Sequence, residues 1–177
     1  MKYIFFFLAV MATLKITAQY KPVDQGSAVK FFVNNFGFAV GGTFTGLRGS
    51  IAFDPQHAAD GSFDVSLDAS TVNTDNSLRD SHLKNDGYFE VANYPRIQLV
   101  SSALDVGDKA GVYVFTGRLT MKGKTKAVSF PFTVVPGEGG FAFKGSFTIN
   151  RKDFGIGGAS TISNEVKVEL NVAVVKQ

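Results

Sequence analysis

Histidines are the first residues to consider for catalysis, because imidazole titrates near neutral pH and serves as a general base or a metal ligand. The chain has two, His57 and His82, and no cysteine. Neither histidine lies in a two-histidine metal spacing, and no Gly-x-Ser-x-Gly motif supplies a nucleophile for Asp80 and His82. We therefore assign no catalytic residue and no metal site, and keep a hydrolase or isomerase using His82 as an alternative.

Arg79 and His82 have a second interpretation, as contacts for the polar head of an amphiphile. The guanidinium of Arg79 could pair with a phosphate, carboxylate or quinone oxygen at the mouth of a pocket. His82 could donate a hydrogen bond to the same group. The simpler interpretation, which we favour, is that Arg79 and Asp80 hold a short helical segment, residues 75–86, against the rest of the fold.

The remaining chain must position these groups mainly on β-strands, because apolar and polar residues alternate with period two along most of it. About eight such strands, each with one apolar and one polar face, predict an antiparallel sheet with one wet side. Their apolar rows begin at Val29, Leu47, Phe63, Ile97, Tyr113, Val128, Phe141 and Val166.

Strands of this kind hide their apolar faces either by closing into one barrel or by stacking as two sheets, and the pattern alone leaves both open. An eight-stranded barrel is just wide enough to be filled by side chains or to hold one small ligand. Gly117 and Gly145 occupy apolar positions of their strands. A missing side chain there either leaves cavity space or lets the strand bend.

Phenylalanine dominates the aromatic residues, with 18 Phe against 5 Tyr and no Trp. Inward-facing apolar side chains suit the hydrocarbon tail of a lipid, although each of them also suits an ordinary core. Burial of a tail contributes about 0.8 kcal/mol per methylene. The predicted tail-binding residues are Phe115, Leu119, Phe130, Phe132, Phe141, Phe143 and Phe147.

The N-terminus has the pattern of a secretory signal peptide: Lys2, an apolar run over residues 4–14, and the small residue Ala18. The run is shorter than the roughly 20 residues that span a bilayer. Cleavage after Ala18 would remove two lysines and lower the formal charge from +3 to +1. That balance lacks the basic field that nucleic-acid binding requires.

Several segments, in order along the chain, resemble signatures of the YceI-like family. They are residues 44–49 (FTGLRG), 78–84 (LRDSHLK) followed by Tyr88-Phe89, 117–126 (GRLTMKGKTK) and 150–156 (NRKDFGI). The resemblance implies a lipocalin-like antiparallel barrel, exported to the periplasm or beyond. It also implies an elongated internal cavity that holds a long polyisoprenoid or a similar amphiphile.

We therefore expect a signal peptide over residues 1–18 and one all-β domain over residues 19–177. The domain is predicted to be an antiparallel eight-stranded lipocalin-like barrel with one short helical segment near residues 75–86. Its expected function is to bind a polyisoprenoid (such as a polyprenyl phosphate), an isoprenoid quinone or a fatty acid derivative, for carriage or storage in the periplasm or as a secreted protein. We expect no cofactor; a transient membrane contact and a homodimer both stay open. The alternative is an exported β-sandwich interaction protein with no cavity.

Overall fold

A computed structural model describes residues 18–137, 139–158 and 161–177, so residues 1–17 of the predicted signal peptide lie outside the described residues. Two short 3-10 helices, Ala58–Asp60 and Arg151–Phe154, accompany the main elements. The main elements are β1 (Gln19–Pro22), β2 (Ala28–Asn35), β3 (Phe38–Ala52), β4 (Ser62–Asn73), α1 (Ser77–Leu83), β5 (Arg96–Val106), β6 (Val112–Met121), β7 (Lys124–Gly137), β8 (Gly140–Asn150) and β9 (Ile162–Lys176).

Eight strands close into an antiparallel barrel in the order β3-β2-β9-β8-β7-β6-β5-β4, with β4 pairing back onto β3. Strand β3 closes the barrel because its first part pairs with β2 and its second part pairs with β4. Register shifts between Thr43 and Arg48 bend it where the partner changes. The ninth strand, β1, pairs with the ends of both β3 and β9. The predicted barrel is confirmed, and the stacked-sheet alternative is wrong.

The alternating sequence pattern becomes one row of inward and one row of outward side chains on each strand. On β6, for example, Tyr113, Phe115 and Leu119 are buried, whereas Arg118 between them is exposed. Lys122 and Gly123 join β6 to β7 with positive φ angles of 47° and 69°. A two-residue connection of this hand matches the twist of the strands that it joins.

One half of the barrel interior, which we call the aromatic half, is packed around the ring of Phe53, which is 1% exposed. The rings of Phe63, Tyr113, Phe132 and Phe143 lie with their centroids 5.1–6.2 Å from it, all in tilted or edge-to-face arrangements. Such arrangements are favourable for aromatic pairs. The protein's own side chains therefore fill most of this half of the interior.

The other half, the aliphatic half, is closed in part by α1 and the chain that follows it. Asn76 caps α1 by accepting a hydrogen bond from the backbone N–H of Arg79 at 2.9 Å. Leu83 and Phe89 then pack on a small cluster that includes Val29 and Leu67. Among the described residues, no helix has the length and apolar character needed to cross a bilayer.

Candidate ligand-binding site

The aliphatic half encloses a cavity of about 190 Å³. For comparison, a dry cavity of about 150 Å³ lined by Leu, Ile and Phe is large enough to bind benzene. The residues around the cavity are mostly aliphatic or aromatic and come from every barrel strand except β7, together with the segment after α1. Among them are Phe31, Val33, Leu47, Val65, Leu83, Tyr88, Phe89, Ile97, Leu99, Leu119, Phe147, Ile149, Ile162, Val166, Val168, Leu170 and Val172.

Strand β9 supplies one continuous wall of this cavity. Val166, Val168, Leu170 and Val172 alternate into the cavity and stay only half-buried. Between them, the outward-facing Lys167 and Glu169 form an ion pair at 2.7 Å. Apolar side chains that face inward without being fully covered by protein atoms indicate incomplete packing, which is unusual in a protein interior.

The end of the cavity where β9 begins is covered by the segment that follows α1. Phe89 donates a backbone hydrogen bond to the carbonyl of Leu83 at 3.0 Å and places its ring edge-on to Phe44, with centroids 5.4 Å apart. Leu83, Tyr88 and Phe89 all line the cavity and stay half-buried. This end is therefore more open than the aromatic half.

Of the seven predicted tail-binding residues, the structure brings two, Leu119 and Phe147, to this cavity. The other five belong to the aromatic half, where their rings pack on one another. Phe115, Phe130, Phe132 and Phe143 do not line this cavity and instead border a separate space of about 60 Å³. Phe141 packs on Tyr20 and Phe53, with ring centroids 5.3 and 6.4 Å away.

The two glycines predicted to leave cavity space, Gly117 and Gly145, lie outside the lining of the main cavity. A Cβ on Gly117 would lie 2.2 Å from the carbonyl oxygen of Val100, so the missing side chain permits a close approach of β5 to β6. A Cβ on Gly145 would lie 3.1 Å from the carbonyl oxygen of Pro131 and 3.3 Å from the ring of Phe130. Gly145 lines the separate space of about 60 Å³, beside the ring of Phe130, whereas Gly117 lines neither this space nor the cavity.

Arg79 and Asp80 form a clamp on Thr74, at the end of β4. The Nε and Nη2 groups of Arg79 donate to the hydroxyl and carbonyl oxygens of Thr74 at 2.7 and 2.8 Å. Thr74 in turn donates from its N–H and its hydroxyl to Asp80 at 2.9 and 2.6 Å. These contacts are the ones expected if Arg79 and Asp80 hold α1 against the end of β4. His82 is exposed and packs its ring against Tyr88, with centroids 5.0 Å apart.

Arg151 is the buried cation of the site, with 4% exposure. Arg151 lines the cavity, and its guanidinium donates to four backbone carbonyls at 2.8–2.9 Å. Hydrogen bonds to these carbonyls connect the loop after β8 to the start of β9. They belong to Ile156, Gly157, Ile162 and Ser163.

The resolved pKa shifts near the barrel lie on its outer surface rather than in the cavity. The hydroxyl of Ser70 donates to Asp68 at 2.7 Å and holds the pKa of that carboxyl below its usual value. Partial burial lowers the pKa of Arg96 on the neighbouring strand. Within the described ranges, no group of three His, Asp or Glu side chains is arranged to hold a metal ion.

The alternation of β9 and the apolar residues Ile97 and Leu99 were evident in the sequence, but no site was predicted from them. A partial signal existed: the inward row of β9 from Val166 onwards consists of Val and Leu, whereas the inward rows of β7 and β8 together contain five Phe. Branched aliphatic side chains are smaller than phenyl rings and fill less of a barrel of fixed width. The cavity therefore lies on the aliphatic side.

Three comparisons with known proteins agree with this architecture. A protein of Shewanella denitrificans described as a UPF0312 protein is 33% identical over 160 residues, covering 85% of this chain and 83% of that protein. BcnA of Burkholderia cenocepacia has a crystal structure that is similar with a TM-score of 0.78 and 27% identity, covering 84% of this chain and 96% of that one.

A third structure, described as a polyisoprenoid binding domain from Saccharophagus degradans, shares the fold with a TM-score of 0.70. Its sequence is 16% identical, and the match covers 92% of this chain and all of that one, 100%. The model of the YceI-like domain matches residues 20–174, nearly the whole described barrel. The chain therefore belongs to the YceI-like domain family.

Proposed function

We propose that this protein binds one long-chain amphiphilic lipid, with the tail in the cavity of the aliphatic half and the head group at the end covered by α1 and the segment after it. The observation that carries this proposal is the row of half-buried aliphatic side chains around an enclosed apolar space, above all Val166, Val168 and Leu170 on β9. Hydrocarbon in that space would complete the packing that the side chains leave unfinished.

The energetics favour a lipid tail over a polar ligand. Each buried methylene contributes about 0.8 kcal/mol, so a tail with about eight buried carbons offsets association costs of several kcal/mol. A polar ligand would lose its hydrogen bonds to water in a cavity lined almost wholly by apolar groups. Tail length is therefore the main property that this interior discriminates.

The orientation follows from the difference between the two halves of the barrel. Packed rings around Phe53 block the far end, so the tail would terminate against them. Arg151 is one of the residues around the cavity, and its buried positive charge favours a head group with an anionic or electron-rich oxygen. Helix α1, which carries Arg79 and His82, lies beside the cavity through Leu83, so a head-group role for these two residues stays part of the proposal.

Fold relationships support the ligand class without identifying the ligand. The Saccharophagus degradans domain, described as polyisoprenoid binding, has the same barrel. A cavity of about 190 Å³ suits part of one chain and leaves polyisoprenoids, isoprenoid quinones and fatty acid derivatives as candidates. The pattern of residues 1–18 supports carriage or storage of this lipid in the cell envelope or outside the cell.

The test compares two tryptophan variants on the same strand. Val168→Trp places an indole in the cavity, whereas Lys167→Trp places the same group on the outer surface of β9, where the lysine side chain is 56% exposed. Lipids extracted from natively purified protein are identified by mass spectrometry, and uptake of a fluorescent fatty acid is titrated. We expect a single-chain amphiphile in the wild-type extract, and about a ten-fold or larger loss of affinity for Val168→Trp only.

Equal affinity of both variants and the wild type would place any bound lipid outside the cavity and overturn the proposal. Far-UV circular dichroism and thermal unfolding of both variants establish that the barrel remains folded. An extract without lipid, together with no uptake by the wild-type protein, would favour a protein–protein role for the barrel instead.

A further inference from the structure

The connection between β2 and β3 has an unusual residue at its tip. Asn35 pairs with Phe38, so Phe36 and Gly37 alone form the loop, with positive φ angles of 51° and 83°. Two-residue loops of this hand strongly prefer Asn-Gly or a similar pair, because both residues must be left-handed. A phenylalanine in this conformation is uncommon and strained.

The same tip displays two phenyl rings to solvent. Phe36 is 74% exposed and Phe38 is 76% exposed. An exposed apolar side chain alone is ordinary, but two adjacent rings on a protruding hairpin form a local apolar surface. The strained backbone of Phe36 and the exposure of both rings thus coincide on one turn, and packing inside the barrel accounts for neither.

The tip lies beside the more open end of the cavity. Asn35 pairs with Ile162, and the hydroxyl of Thr161 donates to the side chain of Asn35 at 2.8 Å. Ile162 and Val33, on the two strands that meet there, both line the cavity. On α1, at the same end, Leu78 is 81% exposed. The exposed rings of the hairpin tip and the exposed Leu78 therefore lie at the same end of the barrel as the opening of the cavity.

We propose that Phe36 and Phe38 insert into the surface of a phospholipid bilayer and bring the open end of the barrel to the membrane. The choice of a bilayer as the partner rests on the proposed function, since a cavity for a lipid tail loads and unloads most directly from a membrane. The size of the surface favours the same partner. Two rings cover about 150–250 Å² each, well below the roughly 800 Å² per partner of a stable protein interface.

The experiment measures flotation with vesicles of phosphatidylethanolamine and phosphatidylglycerol. Phe36→Asn creates an Asn-Gly turn that suits the backbone, so this variant loses one ring without a risk to folding. Phe36→Asn combined with Phe38→Asn removes both rings. Val106→Asn is the matched control, since Val106 is 73% exposed and lies on β5 two residues beyond Leu104 of the aromatic cluster, at the other end of the barrel.

We expect the double variant to bind vesicles at least about ten-fold more weakly than wild type, because two buried rings supply most of the binding. Phe36→Asn alone should bind more weakly and also melt about 2 °C higher, because the strain is relieved. Val106→Asn should bind like wild type. Uptake of a soluble fluorescent fatty acid, without vesicles, should be equal in all four proteins.

Wild-type binding by the double variant, or no vesicle binding by the wild-type protein, overturns the proposal. Light scattering during size exclusion tests a second copy of the chain as the occupant: a wild-type dimer that the double variant converts to monomer also overturns it. If none of the four proteins takes up the fatty acid, the proposed lipid-binding function is contradicted. Because uptake is measured without vesicles, this result is distinct from the vesicle-binding result.

Discussion

Phe130 stacks on Phe147 with ring centroids 4.5 Å apart and an angle of 15° between the ring planes. Phe147 lines the cavity, whereas Phe130 is 5% exposed and also stacks on Phe115, with centroids 4.9 Å apart. The pair therefore forms the boundary between the aliphatic half, which encloses the cavity, and the more densely packed aromatic half. In the proposed function this boundary is the floor against which a lipid tail ends.

Phe130→Ala should deepen the cavity towards the neighbouring small space and shift the preference of the protein towards longer chains. Loss of a buried ring should also lower the free energy of unfolding by about 3 to 5 kcal/mol. Competition of saturated fatty acids of increasing length against a fluorescent probe measures the preference. Phe53→Ala is the control, because it removes an equally buried ring that lines neither space. An unchanged length preference in Phe130→Ala would contradict this assignment of the floor.

Gly117→Ala and Gly145→Ala should differ in stability although both add one methyl group to an inward position. The new Cβ at Gly117 meets a backbone oxygen at 2.2 Å, which the strands can relieve only by moving apart. We expect a loss of about 3 kcal/mol there and about 1 kcal/mol or less at Gly145, where the contacts are 3.1 Å and longer. Urea unfolding of both variants checks the order, and equal losses would refute the close-approach role of Gly117.

Arg151→Met should destabilise the protein by about 3 kcal/mol or more, because several buried carbonyls lose their donor. Arg151→Lys should recover little of this loss, since one ammonium cannot reproduce the fork of the guanidinium. Lys126→Met, which changes an exposed cation on β7, should be nearly neutral. Chemical denaturation gives the three values, and a Lys variant as stable as wild type would show that charge rather than the hydrogen-bond fork matters.

Ser70→Ala should change how stability depends on pH. The hydrogen bond from Ser70 lowers the folded-state pKa of Asp68 below its ordinary value of 3.8. A lowered carboxyl pKa contributes stability that is complete above the unfolded pKa and is lost as the pH falls through the folded pKa. The difference in unfolding free energy between wild type and Ser70→Ala should therefore shrink from about pH 6 to about pH 2. A difference that is constant over this range would contradict the role of the carboxylate.

Local pattern was enough to predict most elements of this fold. Alternation with period two predicted the barrel strands, and the segment of residues 75–86 that breaks it contains α1, Ser77–Leu83. The clamp role of Arg79 and Asp80 was also predictable, because both residues lie close in sequence to the β4 end that they hold. Resemblance to the YceI-like family then favoured a barrel over stacked sheets, which pattern alone could not do.

The amino-acid sequence by itself determined which side chains face inward, because alternate residues of a strand must point to opposite sides. Only the tertiary structure decided which of these inward positions are filled. Phe130 and Phe132 face the barrel interior, as Val166 and Val168 do on β9. The two rings pack closely in the aromatic cluster, whereas the two valines line the cavity. The physical reason is that the free volume inside a closed barrel depends on the summed sizes of the side chains that meet across it. Which side chains meet is set by barrel closure and strand register, and the sequence of one strand does not determine it.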